Sequence, residues 1–261
     1  MSVFRFKRFD VVNERSAMKV NTDGVLLGAA MTVTADDRHL LDIGTGTGTI
    51  ALMAAQRLTD LAGGNSDLPA LPEEAQGTFL KDITIDAIDI DGVSAEEAER
   101  NFGQSPWKPI LQAHHVSLDE YAAQLPEDIR FDLIFSNPPY FEDSLTAPDS
   151  RKSTARHTSD GLSYRDIFEF ASERLNEDGR VALVLPSDQE TAVCRHARMC
   201  GLHLYRILRI RTVPRKDPKR MIVEFSRHRA DSPHDSILTI QNEGKYTQEY
   251  LSLTHDFYLF A

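Results

Sequence analysis

The quartet Asn137-Pro138-Pro139-Tyr140 follows FDLIFS, an apolar run of strand length. Its residue types describe a receptor for an amine. A residue that precedes proline is kept out of the helical region, so Asn137 and Pro138 are both held extended. Proline keeps its carbonyl but has no N–H, and its φ is fixed. The quartet is therefore a stiff segment with an amide side chain, several acceptors, few competing donors and an aromatic ring. A planar group bearing NH2 suits it, because two acceptors take the two hydrogens and a ring covers the face. The same letters also spell an ordinary proline turn at a strand end. The chemistry placed beside them has to decide.

A second set of residues lies in LLDIGTGTGTIAL, where Gly44, Gly46 and Gly48 alternate. A dinucleotide site needs G-x-G-x-x-G, and Thr49 stands where the third glycine belongs. G-x-x-x-x-G-K-[ST] is absent, which excludes a P-loop. Asp42, two residues ahead of Gly44, would repel a pyrophosphate but suits an ammonium group. Farther along, IDAID ends on Asp89, an acid able to accept both hydroxyls of a ribose. Its distance from the glycines exceeds the usual ~20 residues because an insertion lies between. A nucleoside cofactor with an amino group and no phosphates is S-adenosylmethionine.

These residues have to be delivered by regular elements. HLLDI (39–43), ITIDAIDI (83–90), PILQAH (109–114), FDLIF (131–135) and RVALVLP (180–186) read as strands. Helices are expected from Asp23, capped by Asn21 or Thr22, and over TIALMAAQRL (49–58). Further helices are expected from a Ser94–Glu97 capping box to about Phe102, from Ser163, and from a Ser187–Glu190 box. Strands alternating with helices predict an α/β fold with a doubly wound, mostly parallel sheet. Ligands bind such sheets beyond the carboxyl ends of the strands, near the switch point, so the glycine loop and the NPPY segment fall on one edge. LHLYRILRIRTV and KRMIVEFSR, joined by PRKDP, predict a C-terminal antiparallel hairpin, placed away from the glycine loop. One domain over 1–261 is expected. Its parts are an N-terminal extension (1–35), a loop insertion (63–82, rich in Gly, Pro and acids over Gly63–Gly77), a lid (142–162) and a basic hairpin (202–229).

Composition narrows the partners. The chain has 261 residues, 41% hydrophobic and 26% charged, as ordinary globular proteins have. Its apolar runs are strand-sized, too short for a membrane span, and the start lacks a signal-peptide block. Two cysteines give no disulfide framework, and the nine histidines have no metal-ligand spacing, so a cytoplasmic protein without metal is expected. Net charge is −11, yet Arg195–Arg229 holds nine arginines and two lysines against Asp217 and Glu224. A basic arm on an acidic body points to nucleic acid.

D-x-G-x-G-x-G, an acid ending the second strand and N-P-P-Y after the fourth resemble the class I methyltransferases that modify exocyclic or amide nitrogens. FRFKRFDVVNERSAMKVNTDGVLLGA and YLSLTHDFYLF resemble the two ends of the bacterial tRNA1(Val) (adenine(37)-N6)-methyltransferases. The resemblance implies a Rossmann-like fold with a seven-stranded sheet and N6-methylation of an adenosine in tRNA, most naturally position 37 of valine tRNA. It places Gly44, Gly46, Gly48, Asp42, Asp89, Thr22 and Asn137 at the cofactor. Asn137 and the Pro138 carbonyl accept from the target amine, and Tyr140, with Phe141, meets the base. Arg151, Lys152, Arg156, Arg215, Lys216, Lys219 and Arg220 are the candidate RNA contacts. The sequence departs from the superfamily after the third strand, where HHVSL stands in place of an acid that reads the cofactor's adenine, leaving His115, Val116 or Ser117 for that contact. A glutamine methyltransferase acting on release factors would share the core but add a helical N-terminal domain. A non-catalytic RNA-binding module would not need the cofactor motifs.

Overall fold

A computed structural model describes residues 2–16, 18–63, 82–139 and 161–261. The chain opens with a hairpin, β1 (Val3–Arg5) and β2 (Asp10–Val12), and then enters helix α1 (Thr22–Ala30). Asn21 caps α1, its side chain accepting from the Gly24 N–H at 2.8 Å. Gly24 through Ala30 are all buried, so α1 is a core helix without a wet face. It lies close against α2 (Thr49–Gly63) because Gly28 has no side chain. A Cβ there would come within 2.7 Å of Met53 Sδ.

Eight strands make the central sheet. They are β3 (His39–Ile43), β4 (Thr84–Asp89), β5 (Leu111–His115), β6 (Phe131–Ser136), β7 (Leu175–Pro186), β8 (His203–Arg211), β9 (Arg220–Ser226) and β10 (His234–Thr239). Their order is β10-β8-β9-β7-β6-β3-β4-β5. The run from β7 to β5 is parallel, and β9 lies antiparallel between β7 and β8. The α/β fold, the parallel sheet and the terminal hairpin are as the sequence implies. The eighth strand is additional: β10 joins the edge parallel to β8, and its polar start, His234-Asp235-Ser236, hides it from a hydrophobic pattern.

Both faces of the sheet are buried, so neighbouring strand residues serve opposite cores. Leu40, Leu133, Phe135 and Val184 pack with α1, α2 and α3 (Gly92–Gly103), whereas Leu41, Ile134, Val181 and Leu183 face α4 (Leu118–Gln124), α5 (Tyr164–Arg174) and α6 (Glu190–Met199). A last helix, α7 (Gln248–Thr254), joins the first core.

Two helix starts differ from expectation. Helix α3 begins at Gly92 and is capped by Asp91, whose carboxylate accepts from the Val93 and Ser94 N–H groups and the Ser94 hydroxyl. Asp91 takes the Ser94 N–H that Glu97 would accept from in a Ser94 box, and Glu97 is committed elsewhere. At Ser187 a 3-10 turn, Ser187–Gln189, precedes α6, and Glu190 pairs with Arg209 instead of closing a box. The expected helix at Ser163 is present with Asp166 completing its box, and an unforeseen box joins Ser117 and Glu120 at α4. The insertion and the lid lie, over 64–81 and 142–160, outside the described residues. No helix among the described residues is long and apolar enough to cross a membrane.

Candidate active site

Strands β3 and β6 are neighbours although β4 and β5 intervene in the chain, so their carboxyl ends flank the switch point of the sheet. The Ser136 hydroxyl donates to the Ile43 carbonyl at 2.6 Å and ties the two ends together. From that junction Gly44–Gly48 leaves on one side and Asn137-Pro138-Pro139 on the other. Gly44, Gly46 and Gly48 have φ of +72°, +58° and +78°, a region that side chains rarely adopt. Gly48 also needs the space, since a Cβ would stand 2.5 Å from the Phe102 ring. The loop is braced from below: Gly44 and Thr45 N–H both donate to the Ile88 carbonyl, and the Thr45 hydroxyl donates to Asp42 Oδ2 at 2.8 Å.

Two cavities meet at Gly44, Asn137 and Met18, which line both. The larger, of about 360 Å³, runs past Asp89, Ile90 and Val116–Asp119 to Leu162 and Asp166. The smaller, of about 20 Å³, lies between the glycine loop and the start of α1. Asp89 faces the larger cavity, accepting from the Gly46 N–H at 2.8 Å and the Asp91 N–H at 2.9 Å. Burial raises its carboxyl pKa despite those two bonds. Among the described residues the larger cavity is lined by four carboxylates, Asp89, Asp91, Asp119 and Asp166, and by no lysine or arginine. A phosphate-bearing ligand would be repelled there, whereas a cationic nucleoside fits.

The structure thus brings Gly44, Gly46, Asp89 and Asn137 to the cavity walls, while Gly48 and Pro138 lie beside them in the chain and line neither cavity. Asn137 and Pro138 are buried, and Pro139 is exposed at the larger cavity. Asp42 is not in that company: it is fully buried under the loop and lines neither cavity, its Oδ1 has no hydrogen-bond partner among the described residues, and its pKa is pushed up by burial to about 7. Thr22 is exposed on the first turn of α1 and lines neither cavity, while its neighbours Asn21 and Gly24 line the smaller one. Of the three candidates after the third strand, Val116 and Ser117 line the larger cavity, and Asp119 joins them. His115 turns its ring to the Ile90 carbonyl instead. Tyr140, Phe141, Arg151, Lys152 and Arg156 lie outside the described residues.

Comparison with known proteins agrees with this geometry. Residues 26–203 match the family model described as RMKL-like, methyltransferase domain. A protein of Parabacteroides distasonis named tRNA1(Val) (adenine(37)-N6)-methyltransferase is 39% identical over 257 residues, covering 98% of this chain and 97% of its own. The chain belongs to the tRNA1(Val) (adenine(37)-N6)-methyltransferase family. Solved structures show the same fold. A predicted O-methyltransferase of Agrobacterium tumefaciens superposes with a TM-score of 0.56 at 18% identity, covering 90% of this chain and 96% of that one. The 16S rRNA N2 G1207 methyltransferase of T. thermophilus, solved with AdoMet and guanosine, gives a TM-score of 0.51 at 19% identity, covering 87% and 50%. Family membership sets aside the release-factor enzyme and the non-catalytic module.

In this member of the family part of the basic arm is spent on contacts within the fold. Arg206 pairs with buried Glu224, Arg209 bridges Glu190 and Asp235, and Arg211 donates to Thr239. Arg215, Lys216 and Lys219 remain exposed at the turn between β8 and β9. Arg220 bonds Asp23 on α1 at 2.9 Å. The turn is therefore beside the start of α1 and its small cavity, not remote from the glycine loop as expected, because the β8–β9 hairpin packs against α1. Three site residues escape a reading of the sequence. Ile90 follows Asp89 and is 75% exposed at the larger cavity, an isolated apolar side chain that only its position after a strand-ending acid could flag. Asp119 lies two residues past the HHVS stretch. Met18 carries no chemical signal beyond its place in MKVN-TDG.

Proposed function

We propose that this protein transfers a methyl group from S-adenosylmethionine to N6 of adenosine 37 in a valine tRNA. The observation that carries the reading is the placement of Asn137, an amide acceptor at the end of β6, on the wall shared by both cavities. The acidic lining of the larger cavity suits a cationic cofactor. Asp89 would hold the ribose hydroxyls, Ile90 would cover the adenine, and the backbone of Gly44–Gly48 would approach the methionine end. Lys19 lines the smaller cavity with its ammonium donating to the Asn13 and Glu14 carbonyls, and its charge would favour a carboxylate there. Asp42 serves this arrangement by holding Thr45 and thereby the loop. When bound, the cofactor supplies a methyl group on a cationic sulfur.

The chain's own contribution is to make an aromatic amine attack. The lone pair of an adenine amine is delocalised into the ring. Asn137 Oδ1 and the Pro138 carbonyl accept from its two hydrogens, favour a pyramidal nitrogen and stabilise the positive charge that develops on it. Each well-placed partner is worth on the order of 3 kcal/mol. Alignment of amine and methyl within the cleft adds proximity. The methylated nitrogen sheds its proton readily, so no strong base is required at the site. Tyr140 would stack on the base once it is splayed from its loop, returning ~1–3 kcal/mol. The test is nucleoside mass spectrometry of unmodified valine tRNA incubated with the protein and S-adenosylmethionine. N6-methyladenosine at position 37 is expected, and Asn137→Ala should lower kcat by roughly a hundredfold while cofactor affinity stays within a few-fold. Wild-type protein that yields no N6-methyladenosine, or Asn137→Ala keeping a tenth of the rate, overturns the reading.

A further inference from the structure

The segment between β2 and α1 crosses over the glycine loop, and a single buried carboxylate fastens it. Glu97 on α3, 2% exposed, accepts from the N–H groups of Glu14 and Arg15 at 2.9 and 2.7 Å and of Ser16 at 3.4 Å. One turn farther along α3, Asn101 accepts from the Val12 N–H and donates to the Val12 and Thr47 carbonyls. The same helix face therefore holds the strap and the loop beneath it in one register. Ser16 donates to the Met18 carbonyl at 3.1 Å, and that carbonyl lies against Gly46, 3.3 Å from where a Cβ would stand. Met18 is thus delivered to the wall between the two cavities. There the Asn137 Nδ2 donates to Met18 Sδ at 3.6 Å.

We propose that Met18 is a positioning residue for methyl transfer, its thioether sulfur selecting the orientation of the Asn137 side-chain amide. The inference rests on the reading of Asn137 as the acceptor of the target amine. A thioether sulfur can only accept, so the amide must turn its NH2 toward the strap. The oxygen, across Cγ, is then turned away from Met18, in the sense needed to accept from a substrate amine. The reversed amide would set oxygen against sulfur and offer the substrate a donor where it needs an acceptor. Met18→Leu keeps the volume and removes the acceptor, a swap that cores tolerate well. It should lower kcat about five- to tenfold, the effect of one modest hydrogen bond on an orientation, while KM for S-adenosylmethionine changes less than twofold. Met18→Glu restores a group at similar reach that, when ionised, can only accept, and should return kcat to within about twofold of wild type, which a purely packing role would not do. Leucine at the wild-type rate, or glutamate falling as far as leucine, overturns the inference. Asn137→Ala, assayed alongside, separates the two readings. If it keeps its activity the acceptor role itself fails; if it loses activity while leucine at 18 is neutral, only the role of Met18 fails.

Discussion

At the residue scale, the site is a set of acceptors and acids, and most of it is legible in the letters. Asn137 is identifiable from the prolines that follow it, the three glycines from a spacing incompatible with phosphate chemistry, and Asp89 as an acid that ends a strand. Asp42 is legible as an acid near the glycines but not as one sealed from the ligand, because burial is a property of the packed loop and not of the sequence. Its carboxyl is raised from an ordinary 3.8 to about 7, with burial the main cause and the Thr45 hydroxyl opposing it. The folded chain therefore keeps a proton that the unfolded chain releases, so folding weakens as pH rises between those values and is fully penalised above about 7. Asp42→Asn mimics the protonated acid and should remove that dependence. In thermal melts the variant and the wild type should nearly coincide at acid pH, and the variant should be the more stable at pH 8, by at most about 4 kcal/mol. Stability curves that run parallel across the range would show that Asp42 ionises freely.

At the element scale, strands are legible almost residue for residue where both faces are apolar, as in β3, and are hidden where the pattern is polar, as in β10. The capping signals at Ser94 and Ser187 fail for one reason: their glutamates have stronger partners in three dimensions, Glu97 with the N-terminal amides and Glu190 with Arg209. A local motif cannot show that competition. The arginines of β8 illustrate it again. Glu224 is 0% exposed and accepts from the Thr32 N–H, the Tyr205 hydroxyl and Arg206, so the strand charge that suggests RNA binding is needed by the fold. Arg206→Ala leaves Glu224 buried without its directly bonded cation, with only the more distant Arg57 and Arg180 to offset it, and should cost up to about 3–5 kcal/mol, whereas Arg206→Ala combined with Glu224→Leu should recover part of the loss. Urea denaturation checks this, and a single variant as stable as wild type would mean that Glu224 is satisfied without Arg206.

At the scale of the whole molecule, the two termini that carry the family resemblance form one body. Phe6 stacks on Phe9 at 4.5 Å and lies parallel to Tyr258 at 6.0 Å, Tyr258 stacks on Phe260 at 4.8 Å, and Phe260 continues to Tyr246 at 5.2 Å. Lys7 donates to the Ala261 carbonyl, 254 positions away. This clamp fixes the hairpin from which the strap over the glycine loop departs, a relation no local pattern can supply. The same whole-molecule view narrows the charge proposed to face RNA. With Arg206, Arg209 and Arg220 engaged in ion pairs, the exposed cations at the β8–β9 turn are Arg215, Lys216 and Lys219, and Arg220 anchors that turn to Asp23 beside the smaller cavity. Replacing Arg215, Lys216 and Lys219 together with glutamine, and leaving Arg220 in place, should weaken tRNA binding in every sequence context. The slope of log affinity against log salt should flatten by somewhat under one unit for each phosphate no longer neutralised. Affinity for S-adenosylmethionine should be unchanged, because none of the three lines either cavity. If the salt slope and the tRNA affinity both hold at their wild-type values, the turn is a solvated edge that only discourages strand pairing, and the phosphates are met elsewhere on the molecule.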